Sequence, residues 1–187
     1  MNRRSRMPDI DEATLTAAQR RVYDLIRSGP RGVVEGPLRV WLTNPELAER
    51  AQSLGAYCRY MTGLEPRLSE LAIITVGAHW RAGFEWAVHA PIAERAGISG
   101  AAVAAIKIGH EPSLKDDESA VYAFTRELLV MHQVRDTTYG RLIAVVGAGG
   151  AVDLVGIVGY YSMICMTINA FQVPVPAGTS APFESPG

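Results

Sequence analysis

The sequence predicts an all-α fold of about eight helices, and three observations predict it. Apolar residues recur at helical three-and-four spacing through most of the chain. No segment alternates apolar and polar residues between hairpin turns. Helix-start signals such as Asn44-Pro45, Pro66 and Ser99, and helix stops such as Gly63, Gly97 and Gly109, fall at helix-length intervals.

The elements follow in order. Residues 1–13 read as a flexible arm. Residues 15–28 place Leu15, Ala18, Val22, Leu25 and Ile26 on one face, with Thr14 or Thr16 as cap. Gly29, Pro30, Gly32, Gly36 and Pro37 then enforce a long loop that carries Arg39 and Trp41 near its end, and loops of this size are often functional. Asn44 caps a helix with Pro45 at its first position, and Leu47, Ala51, Leu54, Cys58 and Met61 mark its inward face. Tyr57, Arg59 and Tyr60 beside Cys58 can either reach a pocket or pack.

Pro66 opens a helix from Arg67 to about Trp80, apolar nearly all round over 71–78 and therefore buried on most sides. Arg81, Ala82 and Gly83 form a bend, and residues 84–96 make the next helix, with Pro91 expected to kink or restart it. Ser99 caps an alanine-rich helix to Ile108. Asp116 or Asp117 caps 118–133, with Val121, Phe124, Leu128 and Leu129 inward and Arg126 and Glu127 outward. Asp136 caps a short helix to Val146, and Gly147, Gly149 and Gly150 make a turn into a long uncharged helix from Val152. These glycines are no phosphate loop, since no strand precedes them and no Lys-Ser/Thr follows. Glu70-Leu71 and Asp153-Leu154, each opening an apolar run, hint at two related helical halves. Residues 14–176 thus form a single helical domain and 177–187 a flexible tail.

Bulk properties restrict function. A formal net charge of -1 with 20% charged residues gives no basic field, so nucleic acid is not an expected partner. The apolar share is 48% and the mean hydropathy +0.09, which points to some apolar surface closing in a homo-oligomer. The run from Leu154 to Phe171 is long enough to span a membrane, yet Tyr160, Tyr161, Ser162, Thr167 and Asn169 within it and the lack of a basic flank favour a helix buried in a core or subunit interface. Cys58 and Cys165 stand far apart in no metal-ligand or CxxC spacing, which fits a reducing cytoplasm. The first residues are basic but lack a following apolar stretch, so no secretory signal is expected, and Met7 offers an alternative start.

Chemistry concentrates in residues 70–97, where Glu70, Glu85, His79, His89, Trp80 and Trp86 sit in apolar company. Glu85 and His89 are four apart and therefore stack on one helix face, where a carboxylate raises the basicity of an imidazole and fixes its tautomer. A solvated surface pair is the alternative for these two, and a helix-start charge favoured by the dipole is the alternative for Glu70. Glu70, Glu85, His79 and His89 are also possible metal ligands, but their spacing matches no ligand signature. No metal or organic cofactor is expected.

Three segments carry a resemblance. PRLSELAIITVGAHWRAGFEWAVHAPIAERAGIS, the upstream GPLRVWLTNPELAERAQSLGAYCRY and the downstream VGYYSMICMTINAFQVPVP resemble the carboxymuconolactone decarboxylase family, related to the alkylhydroperoxidase D proteins. The resemblance spans roughly residues 36–176 and implies an alkylhydroperoxidase-D-like helical bundle assembled as a homo-oligomer, a trimer or a hexamer. In the peroxidase branch a glutamate precedes a CxxC and a histidine follows four residues after the second cysteine. Here the glutamate matches Glu70, the cysteines fall at Ala82 and Glu85, and the histidine matches His89. Both redox sulfurs are missing, so thiol chemistry has no visible apparatus.

The decarboxylase branch removes CO2 from a small carboxylated lactone of aromatic-compound catabolism, and needs no cofactor because the conjugated lactone carbonyl is the electron sink. For that chemistry Glu70, Glu85 and His89 are the expected catalytic residues, with His89 delivering the proton, Glu85 orienting it and Glu70 relaying protons or holding a second histidine such as His79. Trp41 and Trp86 are expected to wall the pocket and Arg39 to pair with a substrate carboxylate. The alternatives are an oxidoreductase that depends on Cys58 or Cys165, and a non-catalytic oligomer that binds a small ligand.

Overall fold

The computed structural model describes residues 5–184, so the outermost parts of the expected arm and tail, 1–4 and 185–187, lie outside the described residues. The chain is all-helical: a 3-10 turn Glu12–Thr14, then α1 (Ala17–Ser28), α2 (Pro37–Trp41), α3 (Pro45–Tyr60), α4 (Pro66–His79), α5 (Gly83–Ala96), α6 (Gly100–Lys107), α7 (Asp116–Met131) and α8 (Asp136–Phe171). Helix α4 is the central post, packed against α5, α6, α7 and α8. Its all-round apolar sequence explains this position: Leu71, Ile73, Ile74 and Val76 are at most 1% exposed, and removing such side chains from water contributes about 1.5–3 kcal/mol apiece.

Several local expectations shift. The count of eight holds among the described residues, but with a different partition. Pro37–Trp41, read as loop, is a helical turn with proline at its start. The two expected last helices run as one element interrupted by the single non-helical residue Gly147 (φ 68°, ψ 178°). Pro91 does not break α5, which continues to Ala96 and stops at left-handed Gly97, as expected of a C-terminal glycine. Thr16 caps α1 in a reciprocal box with Gln19. The residues expected to cap the last two helices lie inside them instead: Lys115 precedes α7 and Arg135 precedes α8.

The inward face of α3 is Ala48, Ala51, Gly55 and Cys58, while Leu47, Leu54 and Met61 are exposed. Glu127 turns inward rather than outward, because its carboxylate accepts from the Arg135 backbone N–H and side chain and from the Thr138 hydroxyl. The Arg135 hydrogen bond, helped by Thr138, holds that carboxyl down at about 2.

The ends are anchored where they are described. The Arg6 backbone N–H donates to the Phe171 carbonyl at 2.9 Å and its guanidinium to the Ala170 carbonyl at 3.0 Å. In the tail, Phe183 packs edge-on against Trp86, ring centroids 5.6 Å apart, beneath the Arg81 guanidinium. Asp153 accepts from the Tyr57 hydroxyl and the Gly63 backbone N–H, a surface role unlike that of Glu70, so the suggested echo between the two positions is not one of function.

Candidate active site

Helices α4 and α5 bring three ionisable groups together at their interface. Glu70 lies in the second turn of α4 rather than the first, so a helix-start charge does not explain it. Its Oε2 is 2.7 Å from Nδ1 of His89. On the other side of the ring, Nε2 of His89 lies 3.1 Å from Oε1 of Glu85, the pair four residues apart that the sequence exposed. Glu85 sits in the first turn of α5, where the helix dipole favours a carboxylate. All three side chains are buried: Glu70 7%, Glu85 4% and His89 3% exposed. The solvated-surface alternative therefore fails.

Burial alone would drive the His89 ring toward neutrality, but the charge of Glu85 and hydrogen bonds to both carboxylates outweigh it and raise the ring to about 9. The two carboxylates thus favour the imidazolium, with Nδ1–H donating to Glu70 and the Nε2 side facing Glu85.

This Glu70–His89–Glu85 chain ends on a void. A cavity of about 140 Å³ is lined by Glu85 and His89 together with Arg31, Arg59, Tyr160 and Tyr161. That volume is comparable to an engineered cavity that admits benzene, so it accommodates a single small ring. Three buried polar atoms on its walls have no hydrogen-bond partner among the described residues: Nη2 of Arg31 and the hydroxyls of Tyr160 and Tyr161. Unpaired buried donors cost stability, and their concentration around one void marks a place built to receive hydrogen-bond acceptors. Burial pushes the Tyr160 phenol up to about 12 and Tyr161 well above its ordinary value, so both remain O–H donors. The Tyr161 ring also meets the His89 ring edge-on at 5.3 Å, which fixes the imidazole plane.

The expected wall residues lie elsewhere. The Trp41 indole N–H donates to the Thr167 hydroxyl at 3.0 Å in the core, because its ring fills the space between α2 and α8. Trp86 points away from His89 into the cluster around Leu71, Ile74 and Ile98. His79 meets Trp80 edge-on at the end of α4 rather than Glu70, and burial together with the charge of Arg126 lowers its pKa. Arg39 is occupied by Asp9, Glu12 and the Ile10 carbonyl and lines a different, larger cavity. The loop it follows does form a wall, through Arg31, Val33 and Glu35. Arg59 and Tyr60 reach the cavity from the end of α3, the first of the two alternatives open to them.

The sequence matches no family profile and no curated protein. Solved structures do match in fold. An uncharacterized peroxidase-related protein from Silicibacter sp. TM1040 superposes with a TM-score of 0.75 at 11% identity, covering 92% of each chain. The alkylhydroperoxidase AhpD core protein from Ralstonia eutropha JMP134 gives 0.75 at 13% identity, over 92% of this chain and 93% of the other. The fold is alkylhydroperoxidase-D-like. A variant of the debrominase Bmp8 in complex with 2,3,4-tribromopyrrole gives 0.74 at 14% identity, over 97% of this chain and 96% of the other. At these identities the likeness is one of architecture, and the chemistry has to be read from this chain's own residues.

Proposed function

We propose that this protein is a cofactor-independent acid/base enzyme that decarboxylates a small carboxylated, unsaturated lactone, as the resemblance to carboxymuconolactone decarboxylases implies. The observation that carries the reading is the Glu70–His89–Glu85 chain ending on a ring-sized cavity lined with unpaired donors. The C–C bond to the departing carboxylate breaks, and its electron pair passes through the conjugated double bond onto the lactone carbonyl oxygen. The resulting dienolate takes one proton on carbon, so one CO2 leaves and one proton is consumed.

Each demand has a matching group. The Tyr160 and Tyr161 hydroxyls supply donors for the oxygen that gains charge, in a site where little water weakens them. Arg31 supplies a positive charge for a carboxylate that stays on the substrate. The apolar stretch of Leu38, Val88 and Ile164 leaves the departing carboxylate poorly solvated. His89 and Glu85 face the same void, and the proton reaches carbon from this couple, with Glu70 restoring the charge balance behind the ring. The one-ring ligand of the debrominase supports the size class.

The test is CO2 release from a γ-carboxylated butenolide, followed with the intact protein. Glu85→Gln and His89→Gln are each expected to lower turnover by about 100-fold or more while helical content is kept. Turnover retained in His89→Gln ends the proton-delivery assignment.

The fold shared with peroxidase-related proteins favours a second reading, an oxidoreductase. It would have to use Cys58 or Cys165, whose thiols are 1% and 0% exposed and which burial pushes up, away from the reactive thiolate. Peroxide consumption that disappears in Cys58→Ser or Cys165→Ser would establish it. A protein that binds the lactone without releasing CO2 would be a binding protein, the third alternative.

A further inference from the structure

The cavity at Glu85 and His89 does not stand alone. A cleft of about 750 Å³ lies next to it, within the range of small-molecule sites, and the two share Glu35 and Phe84 in their walls. Most of the remaining wall is apolar, with Met7, Ile10, Val40, Val173 and Val175 on its sides beside Ser5, Asp9 and Arg39. Among the described residues its one lining guanidinium, Arg39, is already satisfied by Asp9, Glu12 and a backbone carbonyl, so these residues offer no free cation to an anionic ligand.

Phe84 is the partition. It directly precedes Glu85 on α5 and is 8% exposed. The tip of its ring rests on Gly36, which has a left-handed backbone (φ 55°). A Cβ at that position would come within 2.4 Å of the ring's Cζ. Position 36 therefore has to be glycine both for its backbone conformation and for the ring to occupy this place. The smaller cavity holds one ring, so any larger part of a substrate has to pass or displace Phe84 into the cleft.

We propose that the cleft is a second subsite of the same enzyme, one that takes a neutral, apolar aryl or alkyl portion of the substrate, and that Phe84 backed by Gly36 sets how much of it can be joined to the ring held at Glu85. This rests on the acid/base reading for the identity of the first subsite, but its test does not need turnover.

The intact protein is titrated with N-phenyl-1-naphthylamine, a neutral probe that fluoresces in apolar surroundings. The wild type is expected to bind it saturably, Val175→Asp and Val40→Asp to weaken binding by about tenfold or more, and Glu85→Gln to change it by less than about twofold. Absence of saturable binding overturns the subsite, even in a protein that releases CO2 normally. Equal weakening by Glu85→Gln overturns it too, since the probe would then occupy the smaller cavity.

The partition is read by calorimetric titration of the protein with benzoate and, separately, with biphenyl-4-carboxylate. Phe84→Ala, or Phe84→Leu should the first variant fold poorly, is expected to tighten the two-ring acid about tenfold relative to the one-ring acid. The same change for both acids overturns the role of Phe84.

Discussion

An imidazole held between two carboxylates has a definite pH signature. Because the folded protein raises His89 from 6.5 to about 9, the stability gained from its two carboxylate partners is fully present below about 6.5 and lost as pH rises through about 9. In wild type, turnover that depends on the imidazolium is expected to fall near pH 9 rather than near 6.5, and denaturant midpoints should decline over the same interval. His89→Gln should flatten that decline; an unchanged slope would show that the ring is not ionised in the folded state. The tyrosines behave oppositely. The Tyr161 hydroxyl has no hydrogen-bond partner among the described residues, so Tyr161→Phe relieves an unpaired buried group whose burial costs about 1–3 kcal/mol. Its melting temperature is expected to hold or rise while turnover falls by about 10- to 100-fold, as for loss of an oxyanion donor. A fall in both would make the hydroxyl structural. At this scale the sequence showed Glu85 and His89, because a spacing of four is a contact within one helix. It could not show that Glu70 of α4 is the other partner, nor that Arg31, Tyr160 and Tyr161 converge, since those meetings depend on how helices cross. Trp41, Trp86 and His79 are misleading for the same reason: each is near the site in sequence, but its helix turns it elsewhere.

Helix α3 shows what periodicity leaves open. Leu47, Leu54 and Met61 and the observed inner set Ala48, Ala51, Gly55 and Cys58 both recur at helical spacing, and hydrophobicity favours the wrong one. Small residues win because α8 approaches closely: a Cβ on Gly55 would lie 2.0 Å from the Tyr160 hydroxyl. This links a helix-packing choice to the site. Glycine to alanine inside a helix ordinarily stabilises by about 0.5–1 kcal/mol. Gly55→Ala is instead expected to lower the melting temperature and turnover together, because Tyr160 has to leave its place. A more stable, fully active variant would show that the Tyr160 ring is free to shift. The elements themselves were largely legible, since prolines and glycines mark the starts and ends of α3, α4 and α5. The short α2 was hidden by the glycines and prolines before it, and the near-continuity of α8 by three glycines of which only Gly147 departs from helix.

Over the whole molecule, the unexplained feature is apolar surface. The uncharged part of α8 is buried along one face only, and Val152, Val155 and Met166 are 72%, 49% and 46% exposed. By length and composition α8 could cross a membrane. Its inner face, however, is committed to the core through Leu154, Ile157, Ile164 and Ile168 and to the site through Tyr160 and Tyr161, which a lipid-embedded helix could not also supply. The neighbouring α3 adds Leu47, Leu54 and Met61, and the 2.7 Å hydrogen bond from Tyr57 to Asp153 fixes the two helices side by side. Apolar side chains exposed on two adjacent helices suit an interaction surface, and like copies of the chain are the partner that the resemblance implies. Light scattering on the purified protein is therefore expected to give a multiple of 20.2 kDa, three or six copies by the resemblance. Val152→Glu and Val155→Glu, which put a carboxylate on that face without touching the site, should shift the mass toward one copy. A wild type that already runs as a single copy at micromolar concentration, or one that pellets with lipid vesicles, would assign the α8 face to something other than self-association.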